Sequence, residues 1–339
     1  MRWTNLDYRL TLSNTTGAPE TDALVRSVVG TLEEAFPGRI LGYYVQGSYA
    51  DRTDVPASDL DLTIVFADQI SDVERARMSE LVTGLEGAAM VELDLQVTDE
   101  RALERGIEPS LKLASRLIHG QDVRDRFALM PIDAWSRDRM HTSYWRIASL
   151  FGRPRVVAVP QGYPDPAGEF YGYNRRTIRR PDGSEVSSTR DLIRMTGWAA
   201  TGLIALKAGR YVARKSECHV LYRECIGDEW ASLFEDVYEH CRTRWHYLIP
   251  SESADRARLR EICERTLAFE NYFLTAYKVF LISELRSEAP GARLEALRPL
   301  GHAPFLDDDV RDVLQTPREV DDEDVRHAAE AALLRYPSR

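Results

Sequence analysis

The feature that most constrains the fold of this chain is a pair of aspartates within a short apolar segment. Residues 58–66 read SDLDLTIVF and follow another apolar run, GYYVQGS, at residues 42–48. Acids in a buried strand need a partner or a metal ion, because an ionised group out of water is costly. Side chains alternate faces along a strand, so Asp59 and Asp61 are expected to point the same way while the neighbouring leucines face a core.

A second acidic strand is predicted at residues 88–97. Its run VELDLQV alternates in polarity, which places Glu92 and Asp94 together on the polar face. A carboxylate from this strand can therefore point toward Asp59 and Asp61. Carboxylates gathered on one face attract a hard cation with oxygen ligands, of which Mg²⁺ is the common one. The third acid would hold a second metal ion, activate an attacking hydroxyl, or do both.

The turn between the first two strands carries Gly47 and Ser48. A glycine lets the backbone come close to a ligand, and a tight turn frees N–H groups that receive phosphate oxygens. A phosphate cradle followed by a metal-binding pair is what the transfer of a nucleotide requires.

Helix and strand patterns alternate over the first ~125 residues, which predicts an α/β domain. Ser71, with Glu74 three residues later, matches a capping box that opens a helix through Leu85. Residues 109–120, PSLKLASRLIHG, are predicted as a helix that begins at a proline and ends at a glycine.

Helical patterns dominate the rest of the chain and cover residues 189–208, 229–248 and 253–285. A segment at 153–188 is rich in Pro, Gly, Tyr and Arg and is predicted as a hairpin or a long ordered loop. The predicted organisation is an α/β domain at 1–130, a helical domain at 131–290 that contains the 153–188 insertion, and an acidic tail or short helices at 291–339.

The order of these motifs resembles the nucleotidyltransferase superfamily that includes DNA polymerase β. The matching elements are Gly47-Ser48, Ser58-Asp59-Leu60-Asp61 and an acid on the next strand. The spacing and the alanine in GSYADR resemble the aminoglycoside nucleotidyltransferases most. The run GRYVARKSECHVLYREC at 209–225 resembles the helical domain of the streptomycin/spectinomycin type.

The resemblance implies a short mixed sheet backed by helices at 1–130, which would be the catalytic domain, followed by an all-α domain. It implies transfer of a nucleoside monophosphate from an NTP, with ATP expected, to a hydroxyl of a small acceptor, with Mg²⁺ as cofactor and pyrophosphate as the second product. The acceptor could be an aminoglycoside-like antibiotic, in which case the activity would confer antibiotic resistance.

The resemblance also implies site residues. A lysine after the GRYV turn reaches the nucleotide phosphates in the related enzymes, and Lys215 matches it. The implied nucleotide-binding residues are Gly47, Ser48, Ser58 and Lys215. The implied metal ligands are Asp59, Asp61 and Asp94.

The third acid has two candidates. In the streptomycin/spectinomycin type it is a glutamate followed by an apolar-Thr-apolar run, which would favour Glu92. Asp94, followed by LQV, lies where the polymerase-like pattern has its aspartate. Asp94 is therefore favoured as the general base and metal partner, and Glu92 remains the alternative.

The composition and net charge of the chain limit the kinds of partner that it is expected to bind. The net charge of -10 argues against a general nucleic-acid binder, whose surface would be basic. No run approaches the roughly 20 apolar residues that span a bilayer, and the N-terminus lacks the apolar core of a signal peptide. The four cysteines lack zinc-ribbon spacing. These features predict a cytoplasmic protein with reduced thiols and no membrane partner, and they leave the oligomeric state open.

Two other classes of function remain open. A cyclic-oligonucleotide synthase of the antiphage type shares the Gly-Ser and Asp-x-Asp pattern and joins nucleotides without another acceptor. A non-catalytic antitoxin or scaffold of the same fold is the second alternative, and the presence of all three acids argues against it. The ratio of pyrophosphate to NTP, with and without candidate acceptors, separates these functions.

Overall fold

A computed structural model describes residues 10–86, 91–179, 183–316 and 323–336. The chain divides into two compact units. The first comprises residues 1–132, 179–184 and 211–218, and the second comprises residues 133–178, 185–210 and 219–339. Residues 88–90 of the second predicted acidic strand lie outside the described residues, as do parts of the predicted 153–188 and 291–339 segments.

The first unit contains a sheet and short helices. Its strands are β1 (Ile40–Val45), β2 (Leu60–Phe66), β3 (Leu93–Asp99) and β4 (Arg116–Gly120). Its helices are α1 (Pro19–Ala35), α2 (Gly47–Asp51), α3 (Asp72–Glu86), α4 (Glu100–Leu103) and α5 (Pro109–Ala114). Two three-residue 3₁₀ turns, Arg124–Arg126 and Lys215–Glu217, also lie in this unit.

The sheet has the strand order β3-β2-β1-β4 and is mixed. Strand β1 pairs antiparallel with both β2 and β4, whereas β2 and β3 run parallel. The predicted fold class, a short mixed sheet backed by helices and followed by a helical region, is confirmed.

The core of the first unit explains why β2 forms where it does. Leu60, Leu62 and Ile64 are fully or almost fully buried and pack in one cluster with Val25 and Val28 of α1. Burying such a side chain is worth roughly 1.5–3 kcal/mol. The predicted apolar face of this strand is therefore confirmed, and its polar face is left for Asp59 and Asp61.

The predicted helix over 109–120 is wrong in its second half. Helix α5 ends at Ala114, and Ser115 is extended, with φ -88° and ψ 164°. The following residues form β4, which covers the edge of β1 and buries Ile118 completely in the core. Gly120 does not end a helix. It has φ +88°, and a Cβ there would collide with the carbonyl oxygen of Leu41.

The predicted capping box at the start of α3 is confirmed. The Ser71 N–H donates to Glu74 Oε2 at 2.9 Å, and the Glu74 N–H donates to Ser71 Oγ at 3.3 Å. These reciprocal bonds satisfy two backbone donors that a helix start leaves without intrahelical partners.

The second unit is mainly helical. Its helices are α6 (Ile132–Ser149), α7 (Arg190–Ala208), α8 (Cys218–Cys225), α9 (Ala231–Asp236), α10 (Ser253–Leu285), α11 (Pro290–His302), α12 (Asp308–Gln315) and α13 (Glu323–Leu333). The first residues of α6 and α8, Ile132 and Cys218, belong to the first unit. Two short strands, β5 (Thr177–Arg179) and β6 (Glu185–Ser187), pair within the predicted hairpin segment.

Two of the three long helices predicted in this region agree closely with α7 and α10. The third, predicted at 229–248, is instead the short α9 followed by a π-helix at Val237–Arg244. His246 and Tyr247, which the prediction placed in that helix, have positive φ angles of 48° and 68°. Among the described helices, none is both long enough and apolar enough to cross a membrane.

Candidate functional site

Three carboxylates converge where β2 and β3 begin. Asp59 immediately precedes β2, Asp61 is its second residue, and Asp94 is the second residue of β3. The two strands pair in parallel with Asp61 directly opposite Asp94, so their side chains share a face. Oxygen atoms of the three acids lie within 4.8 Å of one another.

The backbone around these acids is fixed by hydrogen bonds between strand ends. The Gln46 N–H donates to the Asp61 carbonyl at 2.9 Å, and the Leu60 N–H donates to the Glu92 carbonyl at 2.8 Å. Asp61 is 7% exposed, whereas Asp94 is exposed. The cluster is therefore buried at Asp61 of β2 and open to solvent at Asp94.

Gly47 packs against the Asp61 carboxylate. It begins α2 with φ +62°, and a Cβ at this position would collide with Oδ2 of Asp61. Only glycine fits here without strain, because it has no Cβ to meet Asp61 and because it adopts a positive φ at little cost. The sequence predicts Gly47 as part of a phosphate cradle. Its contact with Asp61 is a second constraint that the sequence does not reveal.

Ser48 and Ser58 lie on either side of the loop that leads to the acids. Ser48 is the second residue of α2 and is half-buried, and its carbonyl accepts the Thr53 N–H at 2.9 Å. Ser58 is buried, and its Oγ accepts the Val55 N–H at 2.9 Å. The Ser58 hydroxyl thus closes the loop before Asp59, while Ser48 lies next to Gly47.

Lys215 brings a positive charge to the acids. It begins the 3₁₀ turn Lys215–Glu217, and its Nζ lies 3.5 Å from Asp61 Oδ1. Its side chain is 72% exposed. In sequence this residue falls inside the predicted helical domain, but residues 211–218 pack with the first unit.

A small network around Asp51 was not anticipated from the sequence. Asp51 is the last residue of α2, and it accepts hydrogen bonds from Arg214 Nε at 2.9 Å and from Ser216 Oγ at 3.1 Å. The charged run ARKSE around Lys215 is the signal in the sequence, but it does not identify the partner.

Glu92 lies just before β3 begins and is exposed. Its backbone carbonyl joins the strand ends through the bond from Leu60. Among the residues that the structure describes, the group whose carboxylate oxygens converge contains Asp94 together with Asp59 and Asp61.

Tyr49 supports the site from the core side. Burial raises the pKa of its hydroxyl, a hydrogen bond with Thr21 lowers it, and the charges of Asp54 and Asp59 raise it further. The net direction is upward, so the hydroxyl stays neutral at physiological pH. Tyr49 packs in the same core cluster as Leu60 and thereby anchors α2 under the acids.

The three acids fit a Mg²⁺ site in donor type and spacing. Mg²⁺ takes oxygen ligands at about 2.0–2.1 Å in an octahedron, so oxygens bound to one ion lie about 3–4.2 Å apart. Small side-chain rotations would bring the carboxylate oxygens from within 4.8 Å into that range. A divalent ion held here would be able to polarise a phosphoryl group.

No protein-family model matches the chain, and no curated protein matches it. Among solved structures, the chain is similar to spectinomycin adenyltransferase AAD(9) from Enterococcus faecialis, solved with ATP and spectinomycin. The identity is 11%, the TM-score is 0.40, and the match covers 72% of this chain and 98% of that chain. At this identity and TM-score the similarity adds nothing to what the geometry of the site supports.

Proposed function

We propose that the protein is a Mg²⁺-dependent nucleotidyltransferase. It transfers a nucleoside monophosphate from an NTP, with ATP expected, to a hydroxyl group of a small acceptor, and it releases pyrophosphate. The observation that carries the proposal is the convergence of Asp59, Asp61 and Asp94, with oxygens within 4.8 Å, beside a turn that begins with Gly47.

The chemistry needs an acidic cluster of this kind. The acceptor hydroxyl oxygen forms a bond to the α-phosphorus, the bond from that phosphorus to the bridging oxygen breaks, and pyrophosphate leaves. The hydroxyl proton passes to Asp94 as general base. Mg²⁺, when bound by Asp59, Asp61 and Asp94, would neutralise charge that develops on the phosphoryl oxygens.

The remaining site residues act on the triphosphate. Backbone N–H groups at Gly47 and Ser48 receive its terminal phosphates, which requires the close approach that glycine allows. Lys215, 3.5 Å from Asp61, stabilises the negative charge on the departing pyrophosphate. Ser58 contributes by holding the loop before Asp59, since its hydroxyl already accepts the Val55 N–H.

The acceptor class follows from the sequence resemblance to aminoglycoside nucleotidyltransferases. A hydroxyl-bearing antibiotic of that kind is the expected acceptor, and resistance to it is the expected consequence. The acidic residues of α9 do not add support for a cationic acceptor. Asp236 is paired with Arg258 and Arg265, and Glu235 is paired with Arg223.

The test is a set of transfer assays with Mg²⁺, in which each NTP, labelled at its α-phosphate, is combined with each of a panel of hydroxyl acceptors. The panel includes aminoglycosides and spectinomycin. The proposal predicts one labelled adduct and one pyrophosphate per NTP consumed, and it predicts both only with an acceptor. Pyrophosphate without any added acceptor, together with linked nucleotides, would identify an oligonucleotide synthase instead. No turnover of any NTP across the panel would favour a non-catalytic role.

A further inference from the structure

Asp51 uses both of its carboxylate oxygens on a segment that is distant in sequence. Oδ1 accepts from Arg214 Nε at 2.9 Å, and Oδ2 accepts from Ser216 Oγ at 3.1 Å. The Asp51 side chain is only 10% exposed, so these bonds are partly shielded from water. The two residues that it holds are the immediate neighbours of Lys215.

This arrangement matters because Lys215 cannot be fixed by its own side chain. A lysine has four flexible side-chain torsions, and ordering them costs conformational entropy. Its side chain is 72% exposed, and an exposed ion pair with Asp61 contributes little by itself. The backbone on both sides of Lys215 is what limits where its ammonium group can lie.

The stability of α2 does not explain an acid at this position. Asp51 ends that helix, where the helix dipole disfavours a negative charge. A hydrogen bond between charged partners is about twice as strong as one between neutral groups. The Asp51–Arg214 bond is of this kind, which offsets the unfavourable position.

We propose that Asp51 is a positioning residue that acts through Lys215. It holds Arg214 and Ser216 against the end of α2 and so keeps the Lys215 ammonium beside Asp61. The consequence for triphosphate binding rests on the proposed function, whereas the placement of the segment does not.

The first experiment measures the placement without any substrate. Amide hydrogen exchange of the 211–218 segment is followed by mass spectrometry in the wild type and in Asp51→Ala. We expect exchange in this segment to be about tenfold faster in the variant, with the helices of the second unit unchanged. The control is Asp54→Ala, an exposed acid three residues further along, which should leave exchange at 211–218 as in the wild type. Unchanged exchange in Asp51→Ala would overturn the proposal.

A milder variant covers the case in which Asp51→Ala does not fold. Asp51→Asn keeps the shape and one carbonyl acceptor for Arg214, and the Ser216 hydroxyl is able to accept from its amide. We therefore expect an increase in exchange that is smaller than in Asp51→Ala but larger than in Asp54→Asn. Equal exchange in Asp51→Asn and Asp54→Asn would contradict a role for the Asp51 charge.

The second experiment asks whether Asp51 acts through Lys215. Affinity for inorganic tripolyphosphate with Mg²⁺ is measured calorimetrically for the wild type, Asp51→Ala, Lys215→Ala and the double variant. We expect each single variant to lose about tenfold in affinity, and the double variant to lose little more than Lys215→Ala alone. Fully additive losses would show that Asp51 acts independently and would overturn the proposal. Faster exchange in Asp51→Ala, combined with a wild type that does not bind tripolyphosphate, would retain the positioning role and contradict the proposed function.

Discussion

Glu92 lies just before β3, whereas Asp94 lies within β3 directly opposite Asp61 in the parallel pair. If Asp94 is the general base, Asp94→Ala should lower kcat by about 10² or more, and Glu92→Ala should lower it much less. Single-turnover assays at saturating NTP separate this chemical step from binding. The opposite ranking would assign the base to Glu92, and small equal losses would mean that neither acid takes the proton.

Gly47 is constrained by both its backbone angle and its neighbour Asp61. Gly47→Ala should cost about 1 kcal/mol or more in stability, because a side chain at φ +62° is strained. It should also push the Asp61 carboxylate aside and weaken Mn²⁺ binding, measured by electron paramagnetic resonance.

Gly84→Ala is the matched control for Gly47→Ala. Gly84 lies in α3 with open space where a Cβ would lie, so alanine should leave Mn²⁺ binding unchanged and should be neutral or slightly stabilising. Wild-type Mn²⁺ affinity in Gly47→Ala would contradict the steric role of this glycine.

The position of Asp94 opposite Asp61 depends on the pairing of β3 with β2, whereas the shared face of Asp59 and Asp61 could be predicted from strand periodicity alone. The packing of Gly47 on Asp61 could not, since it depends on the angle at which α2 leaves β1. The bond between Arg214 and Asp51 was also beyond local reasoning, because 163 positions separate the two residues.

At the scale of elements, local signals were sufficient for α3, α7 and α10 but not for β4. Residues 116–119 follow a helix start at Pro109 and precede Gly120, and this pattern favours a helix. In the fold these residues instead cover the edge of β1 and bury Ile118. Pairing with a distant strand overrides the local preference, which a single sequence cannot reveal.

The capping box of α3 gives a prediction about pH. Hydrogen bonds from Arg39 first, and then from the Ser71 backbone and hydroxyl, lower the pKa of Glu74 from 4.5 to about 2. A carboxyl group with a lowered folded-state pKa stabilises the fold above its unfolded pKa and loses that contribution as the pH falls toward 2. The melting temperature of the wild type should therefore exceed that of Glu74→Gln at pH 7, and the difference should shrink below about pH 4.5.

Glu80→Gln is the control for this helix, since Glu80 is an exposed glutamate of α3 with the same charge. Its melting temperature should follow that of the wild type through the acid range. If the melting temperatures of Glu74→Gln and the wild type differ by a constant amount from pH 7 to pH 2.5, the role of the Glu74 carboxylate is contradicted.

At the scale of the whole molecule, the second unit contains a buried histidine that should limit its acid stability. Burial first, and the charge of Arg137 second, lower the pKa of His141 from 6.5 to about 3. Between these values the unfolded chain binds a proton that the folded unit does not, so the free energy of unfolding should fall as the pH drops from about 6.5 toward 3.

Chemical denaturation at several pH values tests this prediction. His141→Gln should flatten the dependence on pH below 6.5, although it also loses packing around Tyr277, whose hydroxyl lies 3.0 Å from His141 Nδ1. His327→Gln, at an exposed histidine of α13, should keep the wild-type slope. The same slope in His141→Gln and the wild type would rule out His141 as the source of acid sensitivity.

The alternation of helix and strand patterns predicted an α/β domain followed by helices, and the mixed sheet was implied by the family resemblance. It did not indicate that residues 211–218 pack with the first unit, because that placement depends on contacts across the whole chain. The convergence of Asp59, Asp61 and Asp94 agrees with the sequence analysis, whereas the packing of residues 211–218 with the first unit was not predicted.

The central claim is that Asp59, Asp61 and Asp94 bind a divalent ion together with a nucleoside triphosphate. The most direct test is a Mn²⁺ titration, followed by electron paramagnetic resonance, with a non-hydrolysable ATP analogue and no acceptor. The wild type should bind the analogue only with Mn²⁺. Asp59→Asn and Asp61→Asn should lose about tenfold or more in affinity, and Glu104→Gln, at an exposed acid of the same unit, should bind as the wild type does. Equal affinity in all four proteins, or binding that does not depend on the metal ion, would contradict the claim.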